Sequence, residues 1–275
     1  MEAVQGAEGL AHTFIFIGGL HRSGTTLLFD ILREHPLISG FSGTGVPMDE
    51  GQHLQSVYPS DKMYGGPGRF GFDRAAHLTE ISPLVTEGSR ERLLAEWTRY
   101  WDTSKPFLLE KSPPNLIRTR FLQTLFPRSR FIIIQRHPVA VALATAKWSR
   151  NSFWFLLKHW VTCHQIWQED RPFVRDYIEL TYEDFIDNPS GEMGRIYSFL
   201  GVDPPEKPMC GIDPFLNQRY FRIWQTLKCE RMIRPYIKLI ERVFEDRIRG
   251  FGYSFHPSKG SDVSSPSQLK YLDLT

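Results

Sequence analysis

The first apolar run of this chain ends directly in a glycine-rich loop, and this feature constrains the fold more than any other. Residues 14–17 are apolar at every position, and Gly18-Gly19 end the run before a helical pattern from 24 to about 34. A short run that is apolar throughout is typical of a strand buried in a parallel sheet. Similar runs recur at 107–110, 131–134 and 177–180. Because such strands alternate with helices, we expect an α/β fold with three α/β/α layers around a central, mostly parallel sheet.

Helical patterns separate and follow these strands. They cover 87–101, 115–125, a stretch that opens at His137-Pro138, 151–168, 183–200 and about 228–249. Residues 39–80 are rich in Gly, Pro, Ser and Asp and show no periodicity, which indicates loops over a site. We expect one domain from 13 to 256, between a flexible N-terminal arm at 1–12 and a flexible, serine-rich C-terminal tail at 257–275.

The composition argues against several kinds of partner. A net charge of +2 gives no reason to expect nucleic acid or a membrane surface. The three cysteines form no C-x-x-C pair and the nine histidines form no H-x-x-x-H or H-E-x-x-H pattern, so we expect no metal site. The early apolar run is too short for a signal peptide or a membrane span, and we expect a cytoplasmic protein. Nothing in the composition indicates an oligomeric state.

The loop after the first strand has the spacing of a phosphate-binding loop. Its sequence from 19 to 26, G-L-H-R-S-G-T-T, matches G-x-x-x-x-G-K-S/T except that Thr25 stands at the lysine position. Glycines let backbone N–H groups face an anion, and the helix N-terminus adds about half a positive charge. We therefore expect a P-loop-type fold whose loop binds an anion through Gly19, His21, Arg22, Ser23, Gly24, Thr25 and Thr26. A tight turn without a ligand is the alternative.

The missing lysine bears on the kind of chemistry. In an NTPase this lysine reaches the β- and γ-phosphates, so Thr25 argues against nucleoside-triphosphate hydrolysis, while Arg22 supplies a planar cation instead. A P-loop small-molecule kinase or NTPase would also need acidic magnesium ligands after a strand, where this chain has Gln135-Arg136. A non-catalytic nucleotide-binding module is a further alternative.

Residues 18–26 resemble the 5'-phosphosulfate loop of sulfotransferases that use 3'-phosphoadenosine-5'-phosphosulfate (PAPS). The R-S-G-T-T sequence is closer to tyrosylprotein and many bacterial sulfotransferases than to the K-S-G-T-T form of the cytosolic small-molecule enzymes. The resemblance extends over 14–200 as spaced motifs in the same order. It implies metal-independent, in-line transfer of a sulfuryl group from PAPS, as co-substrate, to a hydroxyl or amine. We expect a small-molecule, carbohydrate or natural-product acceptor, while a protein tyrosine stays an open alternative.

The same resemblance assigns the other end of the donor. The strand that ends in Arg136 is similar to the family's 3'-phosphate element, and an arginine can donate two parallel hydrogen bonds to such a dianion. Family members place a serine eight residues later, where this chain has Ala144 beside Thr145. Thr145 can take its part only if the helix register permits. Tyr182 matches a family position near the nucleotide, although a core tyrosine is an equally good interpretation.

The residues expected to carry the chemistry lie at the end of the second apolar run and in the irregular segment. Lys111 resembles the family lysine that stabilises charge on the leaving oxygen, together with Arg22. The cytosolic enzymes have a catalytic histidine two residues later, where this chain has Pro113. The base must therefore come from elsewhere, and Glu50, His53 and a residue outside this segment all remain candidates.

Overall fold

The computed structural model describes residues 12–205 and 216–256. Apart from His12, the predicted N-terminal arm lies outside these ranges, and so does the whole predicted tail at 257–275. The described strands are β1 (Thr13–Gly18), β2 (Ile38–Gly40), β3 (Phe107–Lys111), β4 (Ser129–Gln135) and β5 (Tyr177–Thr181). The described helices are α1 (Thr25–Arg33), α2 (Glu87–Trp97), α3 (Thr119–Leu125), α4 (Pro138–Thr145), α5 (Phe153–Asp170), α6 (Tyr182–Asp187), α7 (Pro189–Leu200), α8 (Leu216–Cys229) and α9 (Arg234–Arg249).

The five strands form one parallel sheet in the order β2-β3-β1-β4-β5. The central strand β1 pairs with β3 on one side and β4 on the other, so that Ile17 lies opposite both Lys111 and Ile132. Ile15, Phe16 and Ile17 are completely buried, which explains why this strand is apolar throughout. The predicted three-layer α/β/α architecture of the P-loop type is confirmed.

Several predicted element boundaries were wrong. The short edge strand β2 was not predicted, because three residues carry no readable periodicity. The helix predicted at 87–101 ends at Trp97. The first residues of the helix predicted at 115–125 belong to a 3-10 turn at Pro113–Ile117. The helix predicted at 183–200 is two helices. Pro189 begins the second of these, with Asn188 capping the N–H of Gly191, because a proline fits the first turn of a helix.

The C-terminal part of the described chain differs most from its prediction. The single helix expected at about 228–249 is the end of α8 followed by α9, with a turn between Cys229 and Arg234. Almost all of α8 was missed. This helix packs against α4 and α9 and contributes Asn217, Tyr220 and Trp224 to the interior.

The segment between β2 and α2, which its composition predicted to be irregular, contains several short 3-10 turns. They lie at Pro47–Asp49, Gly51–His53, Asp61–Tyr64, Phe70–Phe72 and Arg74–Ala76. Buried side chains hold this backbone in place. Arg118 donates to the carbonyls of Pro59 and Ala76, and His159 accepts a hydrogen bond from the N–H of Gly71. These bonds satisfy peptide groups that belong to no sheet or long helix.

The carboxyl ends of all five strands lie at one edge of the sheet, because the strands are parallel. The loop at 19–26 follows β1, Lys111 ends β3, Arg136 follows β4 and Tyr182 follows β5. Ligands of open α/β sheets bind at this edge. The topology therefore brings the predicted site residues from four strands together.

Candidate active site

The loop after β1 packs closely against two neighbouring strands. Gly24 caps α1 with φ 101°, and a Cβ atom there would lie 2.6 Å from Cδ2 of Tyr182. A Cβ atom on Gly19 would lie 2.4 Å from the carbonyl oxygen of Ile134. Only glycine meets both the left-handed backbone at 24 and these close approaches. The two glycines thus shape the loop against β4 and against the start of α6.

Three polar atoms of this loop are buried without a partner. Nδ1 of His21, Nε of Arg22 and the Ser23 hydroxyl have no hydrogen bond within the described ranges. Buried polar atoms are normally paired, so these three fit a loop that binds an anion. Thr25 is buried and Thr26 half-buried at the first turn of α1, where backbone N–H groups lack partners within the helix. The loop therefore has the unpaired donors that a bound anion requires.

Arg22 also contacts an aromatic residue that the sequence analysis did not single out. Its guanidinium carbon lies 4.5 Å from the ring centroid of Trp148, in the connection between α4 and α5. The tryptophan is 59% exposed. A cation over an indole face is stabilised by the electron density of the ring. Trp148 thus covers one face of the loop's only arginine.

Arg136 is buried, and its donors are directed by neighbouring groups. Nε donates to Oδ1 of Asn217 at 2.7 Å, and Nη2 donates to the same oxygen. Nη1 donates to the carbonyl of Arg22 at 2.8 Å, which attaches the end of β4 to the loop. The ring of Tyr182 lies 4.1 Å from the guanidinium carbon. The tyrosine therefore packs between the loop glycine at 24 and this arginine.

Thr145 and Ala144 face different neighbours. Ala144 packs against Ala140 of its own helix and Tyr220 of α8. Thr145 lines a small pocket with His21, Gly68, Leu20, Val141, Ala142, Leu156 and His159. The register of α4 thus puts Thr145 beside His21. Ala144, at the position where the family has a serine, packs against α8 instead.

Lys111 and Glu50 form a buried ion pair. The side chain of Lys111 is fully buried, with Nζ 2.9 Å from the carbonyl of Met48 and 3.3 Å from Oε1 of Glu50. Nε2 of His53 lies 3.7 Å from the other carboxylate oxygen of Glu50. The structure thus brings the predicted charge-stabilising residue and both candidate bases into one cluster. Burial lowers the pKa of His53 although Glu50 opposes the shift, so burial favours the neutral imidazole.

This cluster continues to the loop through two residues that the sequence analysis missed. The side-chain amide of Gln52 donates to Oε2 of Glu50 at 2.7 Å, and its oxygen Oε1 accepts the backbone N–H of Asp61 at 2.9 Å. Asp61 in turn lies 3.2 Å from Nε2 of His21. Burial opposes the ionisation of Asp61, but the hydrogen bond from His21 and the nearby positive charges outweigh it and lower its pKa. A continuous polar network therefore joins the end of β3 to the phosphate loop.

Glu110 attaches the segment that carries Glu50 to the sheet. Its Oε1 accepts the N–H of Gly51 at 3.0 Å and the hydroxyl of Ser112 at 2.5 Å, and Oε2 accepts from Asn115 at 2.5 Å. Burial raises the pKa of Glu110 to about 7, although both side-chain donors oppose the shift. No sequence pattern marks this role, because the partners are 59 residues apart.

Glu183 is a second buried carboxylate near the site. Oε1 accepts the N–H of His137 at 3.1 Å and the side-chain amide of Asn217 at 2.8 Å, and Oε2 accepts the hydroxyl of Tyr253 at 3.1 Å. Burial raises its pKa, while the donors from His137 and Asn217 oppose the shift. The carboxylate thus holds the starts of α4 and α8 and the end of the described chain together.

Two further properties concern residues 12–205 and 216–256 only. No three His, Cys, Asp or Glu side chains in these ranges are grouped so that they could share a metal ion. None of their helices combines the length and apolar character that crossing a membrane requires.

Known proteins with similar sequences are sulfotransferases. Protein-tyrosine sulfotransferase A of Caenorhabditis elegans is 25% identical over 222 residues, which cover 75% of this chain and 55% of that protein. The omega-hydroxy-beta-dihydromenaquinone-9 sulfotransferase Stf3 of Mycobacterium bovis is 23% identical over 167 residues, or 55% of this chain and 42% of that protein. The chain therefore spans about half the length of the curated relatives it matches.

Solved structures share the fold at lower identity. Sulfotransferase STF9 of Mycobacterium avium superposes with a TM-score of 0.55 at 13% identity, covering 91% of this chain and 80% of that one. The sulfotransferase domain of the olefin synthase of Synechococcus PCC 7002 gives 0.51 at 20% identity, covering 80% and 91%. These likenesses concern the fold alone.

The sequence profile of the sulfotransferase family matches residues 15–206, which is more than half of the chain. This range begins in β1 and includes the loop, the buried Lys111–Glu50 pair and the arginine after β4. The order of motifs, the parallel sheet and the profile therefore agree, and the chain belongs to the sulfotransferase family.

Proposed function

We propose that this protein transfers the sulfuryl group of PAPS to a hydroxyl or amine of a small-molecule, carbohydrate or natural-product acceptor by in-line displacement, without a metal. The observation that carries the proposal is the loop at 19–26, where Arg22 and Ser23 have buried polar atoms without partners and from which a polar network leads to the Lys111–Glu50 pair. Bound PAPS supplies the sulfuryl group and a leaving phosphate oxygen on which negative charge builds. The remaining chemistry belongs to the residues of the chain.

Binding and orientation fall to residues at both ends of the donor. The loop residues Gly19, His21, Ser23, Gly24, Thr25 and Thr26 would hold the phosphosulfate with Arg22. Arg136 and Tyr182 would hold the 3'-phosphate end, and Thr145 would offer its hydroxyl to the donor from beside His21. Two separate anchors orient the bond to be broken, which converts binding energy into positioning. The hydrogen bond from Arg136 to the carbonyl of Arg22 supports this, because it keeps the two anchors at one separation.

Charge and proton transfer fall to the buried cluster. Arg22 and Lys111 provide positive charge near the leaving oxygen, and fixed charges in a site that excludes water stabilise a transition state strongly. Lys111 also holds Glu50 in place, since its Nζ lies 3.3 Å from Oε1 of that carboxylate. Glu50 or His53 takes the proton of the acceptor, and the neighbouring residue orients it. The distance of 3.7 Å between Nε2 of His53 and Oε2 of Glu50 is compatible with either residue as the base.

The pocket beside His21 is the proposed acceptor side of the site. Its walls are mainly apolar, from Leu20, Val141, Ala142 and Leu156, with Thr145 and His159 as polar groups. Such a lining suits an uncharged part of an acceptor better than a charged one, and the pocket itself is far smaller than a site that holds a whole small molecule. A single domain at 13–256, placed in the cytoplasm, stays part of the proposal.

Calorimetric titration tests the proposal directly. The purified protein is titrated with 3',5'-adenosine bisphosphate without magnesium, and separately with ATP and magnesium. We expect binding of the bisphosphate that Arg136→Ala weakens by at least about tenfold, because a charge-assisted hydrogen bond contributes roughly 1.5–3 kcal/mol. Arg99→Ala, at an exposed arginine far from the loop in sequence, is the control. Binding of magnesium-ATP with no binding of the bisphosphate would move the protein among the kinases.

A further inference from the structure

We propose that Asn217 of α8 is a positioning residue that orients Arg136 toward the 3'-phosphate of the donor without neutralising its charge. The inference rests on the proposed function and adds α8 to the nucleotide site. The resemblance described above assigns no role to this helix, and residue 217 lies beyond the range matched by the family profile.

The side-chain amide of Asn217 is completely buried and uses both of its ends. Oδ1 accepts hydrogen bonds from Nε and Nη2 of Arg136, and Nδ2 donates to Oε1 of Glu183 at 2.8 Å. The amide therefore lies between a buried cation and a buried carboxylate. Only a group that carries both an acceptor and a donor can satisfy the cation and the carboxylate at once.

The consequence for the charge on Arg136 is specific. Among the described residues Arg136 forms no ion pair within 4.0 Å, and Glu183 is held instead by His137 N–H, the Tyr253 hydroxyl and the Asn217 amide. The groups that do contact the guanidinium are an amide oxygen, the carbonyl of Arg22 and aromatic rings. Neutral contacts fix its direction without forming an ion pair that a bound anion would have to displace. A carboxylate in contact would fix the direction equally well but would cancel much of the attraction for an anion.

The remaining donors of Arg136 match a phosphate. Three of the five guanidinium N–H groups have partners within the described ranges, one each on Nε, Nη1 and Nη2. One N–H on each terminal nitrogen is left over. Two N–H groups on a fixed planar group are what a bidentate contact with a phosphate requires. Asn217 thus occupies the edge of the guanidinium that includes Nε, and together with the carbonyl of Arg22 it leaves one donor on each terminal nitrogen.

The experiment compares two nucleotides that differ only in the 3'-phosphate. Wild type, Asn217→Asp and Asn217→Ala are titrated calorimetrically with 3',5'-adenosine bisphosphate and with adenosine 5'-monophosphate. We expect Asn217→Asp to weaken the bisphosphate by about 10- to 100-fold and the monophosphate by less than about threefold, because the new carboxylate pairs with Arg136 and opposes the 3'-phosphate. Gln225→Asp adds the same charge at an exposed position of α8 and is expected to leave both affinities unchanged.

The outcomes separate the inference from the function on which it rests. Equal weakening of both nucleotides, or no weakening of either, overturns the role of Asn217 and leaves the proposed function standing. Failure of the wild type to bind the bisphosphate overturns the proposed function itself. If Asn217→Asp does not fold, Asn217→Ser keeps an uncharged acceptor oxygen at this position and is measured in the same pair of titrations. If Asn217→Ser and Asn217→Ala both bind the bisphosphate and the monophosphate with the same affinity ratio as the wild type, the inference is also overturned.

Discussion

Oε1 of Glu110 accepts the backbone N–H of Gly51 at 3.0 Å, so the end of β3 directly holds the residue that follows the candidate base Glu50. A Cβ atom on Gly51 would lie 2.5 Å from Cγ and Oε1 of Glu110, which shows how closely the two are packed. The position of Glu50 therefore depends on a carboxylate at the end of the neighbouring strand.

The raised pKa of Glu110 predicts a pH dependence of stability. Because its pKa is about 7 in the folded protein and 4.5 as its ordinary value, the folded state binds more protons between these limits. The contribution of Glu110 to the free energy of unfolding is therefore largest below pH 4.5 and falls by roughly 3 kcal/mol as the pH rises to 7. Urea unfolding from pH 4.5 to 7.5 measures the effect. Glu110→Gln is expected to remove this part of the slope.

A matched variant makes that measurement specific. Glu87→Gln changes an exposed carboxylate on α2, and we expect it to keep the wild-type slope. Identical slopes in wild type and Glu110→Gln would show that Glu110 does not titrate in this range.

The Lys111–Glu50 pair predicts an asymmetric loss of stability. Lys111→Met leaves Glu50 as a buried carboxylate without its cation, and such removals typically cost about 3–5 kcal/mol. Replacing both residues, as Lys111→Met with Glu50→Gln, is expected to cost less than Lys111→Met alone. Urea unfolding of the two single variants and the double variant at pH 7 gives the coupling free energy. A double variant that is less stable than Lys111→Met would contradict an energetic coupling of this kind.

Variants of the two candidate bases separate their roles. Glu50→Gln is expected to lower kcat by about 100-fold or more, because Glu50 either takes the proton or orients the residue that does. His53→Gln distinguishes these cases. A comparable loss, with disappearance of the acidic limb of the kcat/KM profile, identifies His53 as the base. That limb lies below pH 6.5, because burial lowers the pKa of His53. A loss of only a few fold identifies Glu50. Wild-type kcat in both variants would exclude the cluster from proton transfer.

Local patterns predicted the sheet and the loop, since each depends on neighbouring residues. The apolar run of β1 followed by Gly18-Gly19 predicted a strand and an anion-binding turn, and the parallel order predicted that Lys111 and Arg136 lie at one edge. The partners of these residues could not be predicted in this way. Asn217 contacts Arg136 across 81 positions, and Gln52 lies in a segment without periodicity. Pairing through space between distant segments leaves no periodic signal in a single sequence.

Gly24 and Gly43 provide a matched pair for testing the loop. Both have positive φ angles, 101° and 62°, but an added Cβ atom meets the ring of Tyr182 at Gly24 and nothing within 4 Å at Gly43. Gly43→Ala is expected to cost only the backbone term, roughly 1–2 kcal/mol. Gly24→Ala adds overpacking of about 1–3 kcal/mol and displaces the tyrosine from Arg136. Thermal unfolding and bisphosphate titration of both variants give the comparison. Equal effects on nucleotide affinity would contradict a role for the close contact.

The 3-10 turns between β2 and α2 are held mainly by side chains that project from α5, from the turn after β3 and from the segment itself. Arg118 and His159 bond to backbone groups of this segment, and those bonds do not depend on the identity of the side chains that it carries outward. Sequence drift on the outer surface of the segment therefore leaves its anchorage intact. Successive substitutions within one lineage can therefore change which molecules this segment contacts, while the edge of the sheet beneath it stays the same.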